Sequence, residues 1–246
     1  GGSKEVLGRL FELKEEYDLN IKLKPVGCVG VCNQTPLLEI ISGGNNQYRY
    51  TNVRKEQVED ILLTHVNPGS LNKKLKYKIN DLADTFLYDG KLNSPVNIPG
   101  ETREKFLNNF ISHQVRIATI NSGILSPLSL DEYILLDGFE ALKKCVRYDD
   151  RNSIIETVLK SGLRGRGGAG FPTGRKWKIF SESSDSPRYI ICNGDEGDPG
   201  AFMDRMLLES YPYRIIEGMM IAAYAAGASE GIFYIRAEYP LAVKRI

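Results

Sequence analysis

Between Ser161 and Trp177 the chain reads Ser-Gly-Leu-Arg-Gly-Arg-Gly-Gly-Ala-Gly-Phe-Pro-Thr-Gly-Arg-Lys-Trp. Six glycines (Gly162, Gly165, Gly167, Gly168, Gly170 and Gly174) are interspersed with four cations, Arg164, Arg166, Arg175 and Lys176. Peptide N–H groups with no Cβ in the way can close around an anion, and flanking Arg and Lys add fixed positive charge. Such a loop suits a phosphate or pyrophosphate and the flat ring it carries. One predicted strand further on, Asn193-Gly-Asp-Glu-Gly-Asp-Pro-Gly200 forms a second glycine-rich turn, made acidic by Asp195, Glu196 and Asp198. Clustered carboxylates are usually just a solvated turn. Facing a basic loop, they can instead accept hydrogen bonds from ribose hydroxyls or ring N–H groups, at the carboxyl end of a strand where open α/β sheets bind ligands.

Gly165-Arg-Gly-Gly-Ala-Gly170 satisfies G-x-G-x-x-G, but the dinucleotide fingerprint needs a strand before it and a helix after it. Here a helical pattern precedes and Phe171-Pro172 follows, so the ordinary Rossmann context is not expected. Cys28-x-x-x-Cys32 lies on a loop with Gly27 and Gly30. Two such thiolates can hold one edge of an iron–sulfur cluster or a zinc ion, which needs four ligands, or they can be ordinary thiols. Cys145 and Cys192 are isolated and read as buried small apolar residues. His65 and His113 have no nucleophile partner in sequence and read as packing or surface residues; Trp177 reads as a core or lid residue.

Elements must position these loops. Helical periodicity covers Lys4–Tyr17 and Val53–Val66, and strand patterns cover Ile21–Val26, Leu37–Ile41 and Tyr48–Thr51, with a turn at Gly43-Gly-Asn-Asn46. From Ser70 to Gly100 lysines, asparagines and prolines thin the pattern to a linker carrying one short helix. Helical and strand-like pieces follow over Glu101–Asn121, then short helices at Ser129–Leu136 and Gly138–Val146. Ser153 with Glu156 has capping-box spacing for the helix that delivers the chain to the basic loop. Arg188–Cys192 and Gly231–Arg236 read as strands, and Met203–Ser210 and Arg214–Ala226 as helices.

The chain has 246 residues, 42% hydrophobic and 26% charged, with a formal net charge of +1. That is an ordinary soluble composition. It gives no electrostatic case for nucleic acid or an anionic membrane as partner. The longest apolar run, Met219–Ala226, falls far short of the roughly 18 residues of a membrane helix. Four cysteines and no visible signal peptide point to a reducing, cytoplasmic compartment rather than a disulfide scaffold. The opening Gly1-Gly2-Ser3 and the close at Lys244-Arg245-Ile246, inside a helical pattern, suggest a piece of a longer polypeptide.

Leu163–Trp177 and Tyr189–Arg205 resemble the NADH-binding flavoprotein subunit of respiratory complex I and its relatives in NAD(P)-reducing hydrogenases and NAD-dependent formate dehydrogenases. Cys192-Asn-Gly-Asp-Glu-Gly-Asp-Pro-Gly-Ala-Phe-Met-Asp-Arg205 looks like the hydrogenase and formate dehydrogenase branch, and Tyr234-Ile-Arg-Ala-Glu-Tyr239 resembles the family's next motif. Val26-Gly-Cys-Val-Gly-Val-Cys32 followed by Pro36 resembles the second cysteine pair of a thioredoxin-like [2Fe–2S] ferredoxin module. The resemblance implies an α/β protein: a ferredoxin lobe over 1–70 lacking its first cysteine pair, a connecting segment over 71–148, and the start of an FMN- and NAD-binding domain over 149–246. It implies FMN held by Gly165, Arg166, Gly167, Gly168, Gly174, Lys176, Asn193, Asp195, Tyr234 and Glu238. NAD(H) or NADP(H) would stack near Gly168, Ala169, Gly170 and Phe171, with Glu196 and Asp198 toward its hydroxyl and amide groups. It implies Cys28 and Cys32 as two of four [2Fe–2S] ligands, and a ubiquitin-like domain and a [4Fe–4S] bundle beyond residue 246. The implied activity is hydride transfer between NAD(P)H and FMN, with single electrons passed through clusters to a partner hydrogenase or formate dehydrogenase subunit. No side chain is expected to act as acid or base. The alternative is an electron-carrier or docking module with a non-catalytic nucleotide site.

Overall fold

The structure is a computed structural model and describes residues 2–42, 46–69 and 113–246. It has mixed helix and strand content, as an α/β reading requires. The described residues form two compact units: 2–25, 29–42, 46–69 and 113–117 in the first, 26–28 and 118–246 in the second.

In the first unit, helix α1 (Ser3–Glu16) presents Val6, Leu10 and Leu13 at helical spacing, and α2 (Val58–His65) presents Val58, Ile61 and Leu62. These stripes bury against each other and against Ile40 of the antiparallel hairpin β1 (Leu38–Ser42) and β2 (Asn46–Tyr50). The expected turn over Gly43–Asn45 lies outside the described residues, and Asn46 already belongs to β2. Glu59 of α2 ties the unit together, accepting from Arg9 Nη2 at 2.7 Å and from the Tyr17 hydroxyl at 2.5 Å. The segment Ile21–Val26 is not a strand. Its alternation reports burial: Ile21 and Leu23 pack on the core while Lys22 and Lys24 are exposed. His65 packs between Tyr48 and Tyr50, with Nε2 2.6 Å from the Tyr50 hydroxyl; burial lowers its pKa. The expected linker and its short helix, and the pieces as far as residue 112, lie outside the described residues.

The second unit runs through α3 (Leu130–Leu135), α4 (Glu140–Tyr148), α5 (Arg151–Lys160), α6 (Thr173–Ser181), β3 (Tyr189–Gly194), α7 (Met203–Ser210), α8 (Pro212–Ala226), β4 (Glu230–Ile235) and α9 (Pro240–Arg245). Strands β3 and β4 are parallel, and α7 with α8 forms the crossover between them. A parallel pair needs such a long connection. Asp150, not Ser153, caps α5: its Oδ1 accepts from Ser153 N–H at 2.9 Å. The capping-box spacing therefore points three positions late: the helix already begins at Arg151, and the Asp150 carboxylate takes the N–H of Ser153 itself. Leu208, Tyr239 and Ala242 form a small core against which Cys192, Phe233 and Ile235 pack. Cys192 and Cys145 are half-buried rather than buried, and burial raises the pKa of both thiols. Their expected role as packing residues is otherwise compatible with these positions.

Glu217 of α8 is the buried carboxylate of this unit, 8% exposed. It accepts from the Tyr133 hydroxyl at 2.5 Å, from Phe139 N–H at 2.9 Å and from Leu142 N–H at 3.3 Å. Through these bonds it caps α4 and fastens α3 and α4 to α8. Burial, reinforced by the Glu217 carboxylate, drives the Tyr133 hydroxyl pKa upward. Glu217→Ala strands three donors and is expected to destabilise the protein by about 1–3 kcal/mol, measurable as a lower midpoint in urea denaturation.

Candidate functional site

The basic loop is pinned at its base and bare at its tip. Gly165 N–H donates to Phe171 O at 2.9 Å and Thr173 N–H to Leu163 O at 2.8 Å, so Leu163–Gly165 and Phe171–Thr173 close on each other like a short antiparallel ladder. Two guanidinium groups fold back on the loop: Arg164 Nη1 donates to Gly170 O at 3.1 Å and Arg166 Nη1 to Arg164 O at 3.0 Å. Arg166, Gly167, Gly168 and Ala169 are exposed at the tip. Gly168 has φ 101, a backbone state that side chains strain, and no described atom stands within 4 Å of a Cβ built on Gly167 or Gly168. That open backbone is what close approach of a planar ring or phosphate requires.

A helix does follow the loop, contrary to the expectation drawn from Phe171-Pro172. Pro172 is the N-cap residue of α6, a position where its missing N–H costs nothing, so the proline starts the helix rather than preventing it. The element before the loop is still a helix, α5, and the Rossmann context remains absent. Gly174 makes the α5–α6 contact: a Cβ there would stand 2.4 Å from Leu159 N. Arg175 and Lys176 occupy the first turn of α6, which holds no acidic residue. Cations at the positive end of a helix dipole are unfavourable alone and favourable once an anion is present. Lys176 also lines a shallow, open concavity of about 430 Å³ with Phe171, Ile179, Phe180 and Ser183. Arg175 lies 5.8 Å over the Phe171 ring, and Trp177 is half-buried.

The acidic loop springs from the carboxyl end of β3. In the parallel register Asn193 pairs with Tyr234, and both are exposed. Asn193 Oδ1 accepts from Asp195 N–H at 3.0 Å, while Asp198 is exposed and its carbonyl accepts from Ala201 N–H at 3.1 Å. Glu196 points inward instead. Its Oε1 accepts from Asp204 N–H at 3.1 Å, and its Oε2 from Arg205 N–H at 3.3 Å and the Tyr239 hydroxyl at 3.2 Å. Arg236 gathers the rest: Nη1 donates to Glu196 O at 2.6 Å, Nη2 to Glu238 Oε1 at 3.1 Å, and Nε lies 4.0 Å from Asp195 Oδ1. A backbone hydrogen bond and Arg236 together hold the Glu238 carboxyl below its ordinary pKa. Burial, with the Glu196 charge, raises that of Asp204.

The structure thus brings Asn193, Asp195, Glu196, Tyr234 and Glu238 around the β3 and β4 ends. It places Gly165, Arg166, Gly167, Gly168, Ala169, Gly170, Phe171, Gly174 and Lys176 on the basic loop and α6. Among the described residues no hydrogen bond or ion pair joins the two groups. Arg236 and Tyr239 were not singled out in sequence, although both stand in the Tyr234–Tyr239 motif. Cys28 is half-buried in the second unit, where its N–H donates to Ser210 Oγ at 2.9 Å; Cys32 is exposed in the first, at the start of a 3-10 turn. No disulfide joins the four cysteines, and among the described residues no three His, Cys, Asp or Glu side chains group as a metal site. No helix among them is long and apolar enough to cross a membrane.

Both glycine loops, the crossover and the Tyr234–Tyr239 motif fall within one matched stretch. Residues 158–246 match the Nuo51 FMN-binding domain. Over 133 residues the chain is 52% identical to the NADP-reducing hydrogenase subunit HndC of Solidesulfovibrio fructosivorans, covering 54% of this chain and 27% of that one. Over 112 residues it is 53% identical to an NADH-quinone oxidoreductase subunit of Aquifex aeolicus strain VF5, covering 46% and 26%. A crystal structure of NAD+-reducing [NiFe]-hydrogenase in the H2-reduced state aligns at 36% identity with a TM-score of 0.42, over 59% of this chain and 27% of that one. The chain spans about a quarter of the length of the curated relatives it matches.

Within the matched stretch, Asp204 offers a test of the electrostatics. Its folded pKa is raised, so its contribution to stability is present below the unfolded value and is lost as pH rises through the folded one. Asp204→Asn is therefore expected to gain stability relative to the parent as pH rises above the ordinary aspartate pKa of about 4, read as a shift of the denaturation midpoint that grows with pH until the folded carboxyl is ionised.

Proposed function

We propose that this chain is part of a flavoprotein subunit that moves a hydride between NAD(P)H and FMN. The match of 158–246 to an FMN-binding domain carries the reading, because it spans both charged loops. The local geometry supports it. The tip of the basic loop is bare backbone beside a positive helix end, which fits a phosphate. Asn193 and Tyr234 stand abreast at the carboxyl ends of parallel strands, where an α/β sheet takes its ligand. In this reading the backbone from Gly165 to Gly168, Arg166 and Lys176 hold the flavin phosphate and one edge of the ring. Asn193, Asp195, Tyr234 and Glu238 hold the other edge. Gly168–Phe171 and Asp198 meet the dinucleotide.

Flavin, when bound, supplies the chemistry: it accepts a hydride as two electrons and releases them singly. The residues orient and anchor. Backbone at the loop tip and Lys176 fix one end, the acidic loop fixes the polar ring atoms, and no side chain is assigned a proton transfer. A [2Fe–2S] cluster on a thioredoxin-like lobe would need two ligands besides Cys28 and Cys32, so no step is routed through it. Delivery of electrons to a hydrogenase-type partner in a cytoplasmic multi-subunit complex, and a [4Fe–4S] relay beyond the flavin, belong to the same proposal. The names of the relatives support it.

The test is flavin retention in the full-length protein. The parent should purify with flavin absorbance that NADH or NADPH bleaches under anaerobic conditions. Lys176→Ala and Asp195→Ala should each weaken FMN binding by about 1.5–3 kcal/mol, the size of a charge-assisted hydrogen bond. A parent that binds no FMN, or two variants that retain it as tightly as the parent, contradicts the assignment.

A further inference from the structure

We propose that Glu196 is a positioning residue, which holds the acidic loop in its binding shape from behind rather than touching a nucleotide. The inference rests on the function proposed above and assigns one residue of that site a different part. In the run Asp195–Gly200, Glu196 is the one half-buried residue, and its carboxylate is bonded to α7 and Tyr239. It does for α7 what the local sequence fails to do. The N-cap residue of α7 is Phe202, whose side chain has no acceptor, so the first amides of the helix would lack partners. Glu196 reaches across the loop and caps Asp204 N–H and Arg205 N–H with its two carboxylate oxygens. A carboxylate at a helix N-terminus is also favoured by the dipole.

The same residue is fastened on its other side. Its carbonyl accepts from Arg236 Nη1 at 2.6 Å and from the Tyr239 hydroxyl at 3.3 Å, and that hydroxyl also reaches Oε2. Glu196 therefore bonds at once to three pieces distant in sequence: its own loop after β3, the first turn of α7, and the segment after β4. Arg236, held by this contact, faces Asp195 and Glu238. Side chains assigned to the flavin thus take their places from a clamp whose centre is Glu196. Its carboxylate already receives three donors, which is the work of a structural acceptor.

Two readouts on the full-length protein test the clamp. The first is amide hydrogen exchange at Asp204 and Arg205 without added nucleotide. Glu196→Ala should speed exchange there roughly tenfold, the scale of a lost helix cap, and Glu196→Gln, which keeps one acceptor oxygen, should restore part of the protection. If Glu196→Ala does not fold, Glu196→Gln carries the measurement alone, with exchange faster than the parent. The second is FMN affinity in a double-mutant cycle with Tyr239→Phe. Each single variant should bind FMN more weakly, Glu196→Ala by about tenfold, and the double variant no more weakly than Glu196→Ala, since both cut one clamp. Unchanged exchange at Asp204 and Arg205 overturns the proposal. So does a raised KM for NADH with unaltered FMN affinity, which is the signature of a direct dinucleotide contact. A parent that binds no flavin sinks the function proposed above, while the exchange measurement still decides the clamp.

Discussion

To take an anion through its peptide groups, as proposed, the basic loop has to be stripped of side chains and yet held still, and these demands conflict. Every glycine that opens the backbone also enlarges the conformational freedom that must be lost on ordering. The basic loop resolves the conflict at its base. Two backbone hydrogen bonds close Leu163–Gly165 on Phe171–Thr173, and the Gly174 contact with Leu159 seats α6 directly against α5. The tip can then be bare because its ends are fixed by rigid helices.

The acidic loop meets the same demand by a different route. It has no ladder of its own, so its order comes from a side chain that crosses it: Glu196, bonded to α7, Tyr239 and Arg236. One carboxylate thus serves a helix end, while a neighbouring carboxylate, Asp195, stays at the exposed face. A backbone hydrogen bond and then Arg236 lower the Glu238 pKa, whereas half-buried Asp204, desolvated and beside Glu196, moves the other way. Environment rather than residue type separates these acids into holders and presenters.

The two charged glycine loops were legible in sequence as loops because glycine spacing and charge are local properties. So were most helices and the parallel strands, whose periodicities are strong. Three features were not. Ile21–Val26 alternates like a strand yet is not one, since alternation records burial and not hydrogen bonding. Pro172 looked like a break and instead begins α6, because a proline at a helix start and one that stops a helix look alike without the backbone. Glu196 looked like its neighbours Asp195 and Asp198; only the fold brings an unpartnered helix end and the Tyr239 hydroxyl to it. Long-range hydrogen bonds leave no periodic trace in a sequence. The match to the Nuo51 FMN-binding domain over 158–246 agrees with the resemblance carried by the two loops.

One nucleotide seated against both charged loops is the claim on which the account turns, and its most direct measurement is the footprint of FMN on amide hydrogen exchange in the full-length protein. Binding should protect Arg166–Ala169 and Asn193–Asp195 together, with the same dependence on FMN concentration. Protection confined to one loop, or absent from both at saturating FMN, would contradict a shared flavin site.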